Sequence, residues 1–220
     1  MKDFKPIIFI MRAREIPESL ESISKFPYPK VWVEYYREKE IQDEAWEEVF
    51  KLIVSKGYTH ISIFSDDGVM EPDKAKEVIE LAKEHPVTCG WCNIDSRDLA
   101  NISKSPLVSS PPLVATLQPL MYTIRGVENH SERLIRTWFT GFSLHTMSTE
   151  LWGRFPFQCY PGQSGKGASS DFHLCWRLQE ANIPIVALKS ARIYHIRRNI
   201  LRQDFKVLAG VREKNIRWEE

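Results

Sequence analysis

An apolar run that ends in two acids and a glycine constrains this chain most. Ile61-Ser62-Ile63-Phe64 is rich in β-branched and aromatic residues, which is typical of a buried strand. The next residues, Ser65-Asp66-Asp67-Gly68, have turn chemistry, so the strand should end there. Carboxylates at the carboxyl end of a strand in an α/β sheet lie at the edge where such sheets bind ligands. Oxygen ligands there suit Mg²⁺ or Mn²⁺, which would hold nucleotide phosphates; the alternative is an acidic turn that binds nothing.

Composition indicates a folded chain without a strong charge bias. The 220 residues include 43% hydrophobic ones, enough for a sizeable core. Thirty basic residues against 29 acidic ones give a net charge of +1, which argues against a nucleic-acid binder. The sequence contains no apolar run long enough to span a membrane, and Met1 to Lys5 does not resemble a signal peptide. We therefore expect a cytoplasmic protein.

The four cysteines leave two interpretations. Cys89 and Cys92 have the CxxC spacing of zinc and redox sites, but Cys159 and Cys175 stand alone and form no second pair. The CxxC pair lies in an apolar segment that is expected to form a strand. Free cysteines in such a segment are usually small core residues, which is the favoured interpretation over metal or redox chemistry.

The first half of the chain alternates strand and helix patterns. Strands are predicted at Lys5–Met11, Val31–Tyr36, Ile61–Phe64 and Val87–Asn93, and helices at Ile16–Ser24, Gln42–Ser55 and Pro72–Lys83. This order predicts an α/β fold, with a mostly parallel sheet flanked by helices on both faces. We expect one domain, with a nucleotide-binding half at about 1–95, an acceptor-binding half at about 96–200 and a C-terminal tail at 200–220.

The second half is less regular. Strands are predicted at Met121–Arg125, Gly141–Met147, Pro184–Leu188 and Ala191–Ile196, and helices from Ser148 to about Arg154 and from Asp171 to Asn182. A flexible polar loop is expected at Gly162–Ser170. The basic, amphipathic tail is a candidate for contact with a membrane surface or a partner helix, although packing on its own domain is the usual outcome.

Three motifs together resemble those of a known family. They are Ser65-Asp66-Asp67 followed by Pro72, the helix segment that runs from Ser170-Asp171 to Asn182-Ile183-Pro184, and Ala191-Arg192-Ile193-Tyr194-His195. In order and spacing they resemble a GT-A glycosyltransferase, most similar to the inverting family-two type, over roughly Ile7 to Arg198. The resemblance implies a GT-A-like, Rossmann-type mixed sheet. It also implies a transferase that moves a sugar from a UDP or GDP donor to a hydroxyl acceptor.

The resemblance implies a role for each motif. Asp67 and His195 would hold a metal ion, Mn²⁺ or Mg²⁺, with the imidazole favouring Mn²⁺. Asp171 would be the general base, although a helix N-terminal acid is the ordinary alternative. Ser65 replaces the first acid of the family's D-x-D motif, and Ser170 replaces the glutamate that usually precedes Asp171. Asn182 replaces the glycine that usually follows the helix, a mild change because Asn tolerates the left-handed conformation.

Further site residues follow the family pattern more loosely. Contacts to the nucleotide are expected from Met11, Arg12, Arg14, Glu34, Asp66 and Arg197. Contacts to the substrates are expected from Trp138, Gly141, Lys166 and Ser170. For Arg197 the alternative is a solvated surface position, and for Trp138 it is the core.

Two other functions remain open. A sugar-1-phosphate nucleotidyltransferase would need a Gly-rich loop after the first strand. Arg12-Ala13-Arg14-Glu15 contains no glycine, which counts strongly against this function. A non-catalytic module that binds a nucleotide or a glycan on a transferase scaffold would fit the serine substitutions at positions 65 and 170.

Overall fold

The computed structural model describes residues 3–12, 16–34, 39–94, 98–108, 120–156, 170–196 and 215–220. Its strands are β1 (Pro6–Arg12), β2 (Lys30–Glu34), β3 (His60–Ser65), β4 (Gly68–Val69), β5 (Val87–Cys92), β6 (Leu134–Thr137), β7 (His145–Ser148), β8 (Ile185–His195) and β9 (Asn215–Glu219). Its helices are α1 (Pro17–Ser24), α2 (Lys39–Ser55), α3 (Pro72–Leu81), α4 (Ile124–Glu128), α5 (Thr149–Arg154) and α6 (Ser170–Glu180).

One mixed sheet organises the described residues. Its strand order is β4-β8-β5-β7-β3-β1-β2-β9, with β6 pairing to β8 outside this path. The pairs β1–β2, β1–β3 and β5–β8 are parallel, whereas β2–β9, β3–β7, β4–β8, β5–β7 and β6–β8 are antiparallel. The prediction of a mostly parallel sheet was therefore wrong. The difference arises because β7 inserts antiparallel between β3 and β5, and because short strands join both ends of the sheet.

The core is divided by the sheet into two clusters. The first includes Phe9, Trp46, Trp91, Trp152 and Leu174, and takes in buried residues of α2, α5 and α6. The second takes in buried residues of α1 and α3 beside β1, β3 and β8. Helices thus cover both faces, as the alternating pattern predicted. Within the described ranges, no helix is both long and apolar enough to cross a lipid bilayer.

Most predicted elements are present, and the exceptions have local causes. Met121–Arg125 was expected to be a strand, but Met121 makes a single bridge and a helix begins at Ile124. The Thr123 hydroxyl caps that helix by accepting the Gly126 N–H at 2.9 Å. The two strands expected between Pro184 and Ile196 form one continuous strand, β8. Residues 215–219 of the tail form a strand, β9, along the edge of β2.

The structure confirms the predicted capping residues at two helix ends. Ser148 accepts the Leu151 N–H at 3.1 Å and begins α5. Asn182 follows α6 with a positive φ of 56°, and the Ile183 N–H bonds back to the Leu178 carbonyl at 2.9 Å. This is the left-handed cap in which glycine is usual and Asn is the common substitute.

The cysteines and one histidine lie deep in the core. Cys89, Cys92 and Cys175 are buried, as the core interpretation predicted, while Cys159 lies outside the described residues. His145 on β7 is fully buried, and its ring lies between Phe142 and Trp152. Neither of its ring nitrogens has a hydrogen-bond partner among the described residues. Burial lowers the pKa of His145 from 6.5 to about 3, because a charged imidazole cannot be solvated there.

We predict that His145 makes the protein less stable as the pH falls below 6.5. The unfolded chain binds a proton near pH 6.5 and the folded chain binds it only near pH 3. The stabilisation is therefore complete above pH 6.5, and is lost at up to about 1.4 kcal/mol per pH unit on the way to pH 3. Urea unfolding at pH 7.5, 6.5 and 5.5 should show a smaller pH dependence for His145→Leu than for the wild type.

A second histidine, His60, does not confuse this comparison. Burial also lowers the pKa of His60, but that contribution is common to both proteins and cancels in the difference. The variant His85→Gln controls for the loss of one histidine. Equal slopes for the wild type and His145→Leu would contradict the prediction.

Candidate functional site

Two side chains separated by most of the chain meet at the carboxyl edge of the sheet. Asp67 lies in the turn between β3 and β4, and His195 is the last residue of β8. Asp67 Oδ2 and His195 Nε2 are 2.7 Å apart. Asp67 is only 4% exposed, whereas the His195 side chain is 30% exposed. The pair thus combines a buried carboxylate with an imidazole that reaches solvent.

The backbone around this pair holds the two strands together. Gly68 and Val69 pair antiparallel with His195 and Tyr194, and the Ile196 N–H donates to the Asp67 carbonyl at 2.7 Å. A Cβ at Gly68 would lie 2.9 Å from Ile193 Cγ2, so the approach of β4 to β8 requires glycine.

Ser65 gives the Asp67 carboxylate a second partner. Its hydroxyl donates to Oδ1, the oxygen that does not face His195. A buried carboxylate needs such partners, because its desolvation is otherwise costly. The serine that replaces an acid in the family's motif therefore has a positive role here, since it orients Asp67 without adding charge.

The described residues supply only part of a metal site. Among them, no three His, Cys, Asp or Glu side chains come together in a way that could hold a metal ion. Asp67 and His195 are two donors, and Asp66 beside them is 5% exposed. Within the described ranges, an ion held here would have Asp67 and His195 as ligands and positions open to water or a bound phosphate.

A second cluster surrounds Asp171 in the first turn of α6. Asp171 Oδ1 accepts the Phe172 N–H at 2.8 Å. The other oxygen, Oδ2, faces Gly141: a Cβ built on that glycine would lie 3.5 Å from Oδ2 and 2.9 Å from Asn101 Nδ2. The predicted base and the predicted glycine of the acceptor site are therefore neighbours. Gly141 precedes β7, which enters the sheet at the carboxyl end of β3, so this cluster shares an edge with Asp67.

The remaining predicted residues are less closely tied to the site. Met11 pairs with Ser65, and Arg12 pairs with Glu34, so their backbones reach the same edge. Ser170 begins α6 beside Asp171. Trp138 is half-buried, and the Arg136 guanidinium lies 4.9 Å from its ring centre. Three predicted residues lie outside the described ranges: Arg14, Lys166 and Arg197.

Sequence reasoning did not single out Asn101, a polar residue beside Gly141. Asn101 is 6% exposed and contacts both the end of β5 and the turn that follows Gly141. Ser143 and Cys92 complete this group, with their side-chain oxygen and sulfur 3.2 Å apart. Cys92 lies nine positions before Asn101 and Ser143 lies 42 positions after it, so no local sequence motif could reveal this group.

Comparisons with known proteins support the fold. No protein-family model matches the sequence, and no curated protein matches it. The structure of A197 from STIV matches at a TM-score of 0.55 and 12% identity, over 89% of this chain and 87% of that one. The structure of GalNAc-T7 with UDP, GalNAc and Mn²⁺ matches at 0.57 and 11% identity, over 89% of this chain and 44% of that one.

A third structure, the inositol-1-phosphate CTP transferase from T. maritima, has a TM-score of 0.45 at 7% identity over 95% of this chain and 97% of that one. This similarity is too low to support a fold assignment. At these identities the likeness concerns the fold alone. The large sheet with both parallel and antiparallel pairs, flanked by helices, is consistent with a GT-A-like fold.

We predict that Gly141→Ala destabilises the protein by about 1–3 kcal/mol, the usual cost of forcing an extra carbon into a packed site. The new Cβ would lie 2.9 Å from the Asn101 amide nitrogen, so that side chain would have to move. The free energy of unfolding in urea measures the effect.

Gly153→Ala is the matched control. It lies within α5, and its nearest Cβ contact is Phe50 Cζ at an ordinary 3.6 Å. Alanine should therefore stabilise this helix by about 0.4–1 kcal/mol. If both substitutions changed the free energy of unfolding equally, the prediction that a Cβ is too crowded at Gly141 would be wrong.

Proposed function

We propose that this protein is a metal-dependent glycosyltransferase that moves a sugar from a UDP or GDP donor to a hydroxyl acceptor with inversion of configuration. The observation that carries the proposal is the contact between Asp67 and His195, 128 positions apart and 2.7 Å from each other at the ligand-binding edge of the sheet. A fold shared with GalNAc-T7, whose structure contains UDP, GalNAc and Mn²⁺, supports it at the level of the fold.

The distance between the two donor atoms suits a shared metal ion. Asp67 Oδ2 and His195 Nε2 lie 2.7 Å apart, so both could hold one ion if it replaced the hydrogen bond between them and the imidazole were neutral. A carboxylate together with an imidazole favours Mn²⁺ over Mg²⁺, because nitrogen ligands suit transition metals better.

The protein's own residues prepare this position. Ser65 fixes the rotation of the Asp67 carboxylate through Oδ1, which leaves Oδ2 directed at His195. The pairing of β4 with β8 holds the two residues in register. When bound, the metal ion would neutralise charge on the departing nucleoside diphosphate.

Asp171 is the proposed general base. Its Oδ2 faces Gly141, the residue that the family pattern places at the acceptor site. Accepting the hydroxyl proton as the oxygen attacks the sugar would give one displacement and therefore inversion. Such assistance is typically worth about 10²–10⁴ in rate.

A non-catalytic nucleotide- or glycan-binding module is the second candidate. One carboxylate and one imidazole make a sparser ligand set than a D-x-D motif with two acids. Binding of UDP or GDP with Mn²⁺, without transfer to any acceptor in a mixed panel of nucleotide sugars, would favour this candidate.

We predict that Asp67→Ala abolishes most of the metal-dependent part of nucleotide binding. Titration calorimetry with UDP and GDP, with and without Mn²⁺, should show a large loss of affinity in the presence of metal and a small one in its absence. Asp67→Asn serves as a second variant of nearly equal shape, and Asp98→Ala, an exposed carboxylate, serves as the control. Metal-dependent binding that survives in both Asp67 variants would exclude Asp67 as a ligand.

We predict that Asp171→Asn lowers kcat by about 10²–10⁴ and leaves donor affinity nearly intact, because the lost interaction forms only as the proton moves. Asn caps a helix about as well as Asp, so a purely structural role predicts nearly full activity. Glu180→Gln, an exposed substitution at the other end of α6, is the control. Retained anomeric configuration in the product, or an active Asp171→Asn, would remove Asp171 from the mechanism.

A further inference from the structure

Asn101 is a buried amide with a defined orientation. Its Oδ1 accepts the Cys92 N–H at 2.7 Å, and its Nδ2 donates to Ser143 Oγ at 3.0 Å. A backbone N–H offers only a donor, so the oxygen must face Cys92 and the amino group must face Ser143. The side chain therefore joins the carboxyl end of β5 to the turn between Gly141 and β7.

The backbone around Asn101 strengthens this connection. The Asn101 N–H donates to the Cys92 carbonyl at 2.8 Å, and the Asn101 carbonyl accepts the Gly141 N–H at 3.3 Å. The turn itself is tight, since the Ser143 N–H donates to the Gly141 carbonyl at 2.7 Å. Gly141 is thus held on one side by Asn101, and faces Asp171 on the other.

We infer that Asn101 is a positioning residue for the acceptor: it holds the Gly141 turn against the end of β5 and so sets the position of the turn relative to the Asp171 carboxylate, beside which an acceptor hydroxyl would bind. This inference rests on the proposed function, because it takes Asp171 as the base. Asn101 itself moves no proton.

The neutrality of the amide matters as much as its hydrogen bonds. Asn101 Nδ2 and Asp171 Oδ2 lie 2.9 and 3.5 Å from the same point, the Cβ position of Gly141, so their separation cannot exceed the sum of these distances. A carboxylate at position 101 would repel Asp171 at this range and favour its protonated form. An amide at position 101 adds no such repulsion.

Two buried thiols of the described residues lie close to this cluster. Burial raises the pKa of Cys175, one turn along α6, and the charge of Asp171 adds to the shift. Burial also raises the pKa of Cys89 on β5 to about 12, so both thiols stay neutral in a neutral solution. His173 lies two residues along the helix from Asp171 and is unchanged in the variants below.

The test is the isosteric variant Asn101→Asp. It keeps the acceptor for the Cys92 N–H, and the Ser143 hydroxyl can rotate to donate to the new carboxylate, so the fold should be retained. We expect the acidic limb of the pH profile of kcat/KM to move upward by about one pH unit. The ¹³C carboxyl shift of Asp171, followed by NMR titration, should move upward by a similar amount whether or not turnover is measured.

Asn182→Asp is the matched control. It makes the same chemical change just beyond the other end of α6, about 16 Å along the helix axis and beyond the range of unscreened interaction in physiological salt. Its pH profile should follow that of the wild type. A third variant, Ser143→Ala, removes the bond to Asn101 Nδ2 without adding charge. It should raise the KM for the acceptor and leave the KM for the donor unchanged.

The outcomes separate this inference from the proposed function. If the wild type transfers sugar and Asp171→Asn does not, but Asn101→Asp shifts neither the pH profile nor the Asp171 titration, the inference about Asn101 fails alone. If the wild type transfers no sugar to any acceptor, the proposed function fails, and the role of Asn101 toward an acceptor fails with it. Shifts in both measurements, with a normal profile for Asn182→Asp, support the inference.

Discussion

The contact between Asp67 and His195 is the interaction on which the candidate site depends. A carboxylate that is almost fully buried is tolerated only when its oxygens are hydrogen-bonded, and Ser65 and His195 provide a partner for each. In return, the carboxylate fixes the end of β8 against the turn after β3. The same contact therefore satisfies a requirement of folding and places two donor atoms together at the edge of the sheet.

The antiparallel strand β7 sets where the second cluster lies. Because β7 runs opposite to β3 and β5, its first residue lies at their carboxyl ends, and so does the turn that precedes it. A parallel strand in this place would have put Gly141 at the opposite edge, away from Asp67. The antiparallel direction of β7, in a sheet that was predicted to be mixed but mostly parallel, is thus what brings Gly141 to the same edge as Asp67.

Much of this arrangement could be predicted from local patterns, and the remainder could not. The apolar run before Asp66, the Ser148 cap and the left-handed Asn182 all follow from chemistry within a few residues, and the structure confirms them. Strand direction is set by pairing between distant segments, so the antiparallel β7 left no local signal. The role of Asn101 also depends on partners brought together by the fold. Met121–Arg125 was predicted as a strand. Its β-branched residues are typical of strands, but one of them, Thr123, caps the helix that begins at Ile124.

Leu144 has a positive φ of 56°, a conformation that costs a branched residue about 1–2 kcal/mol, and yet its side chain is fully buried. Burial of a leucine returns about 1.5–3 kcal/mol, so the turn is held in an unfavourable backbone state by the core beneath it. That core is the cluster shared with α1 and α3, on the face of the sheet opposite α6. Changes in packing on this distant face would therefore reach the turn after Gly141 through one leucine, without any change in the residues around Asp171.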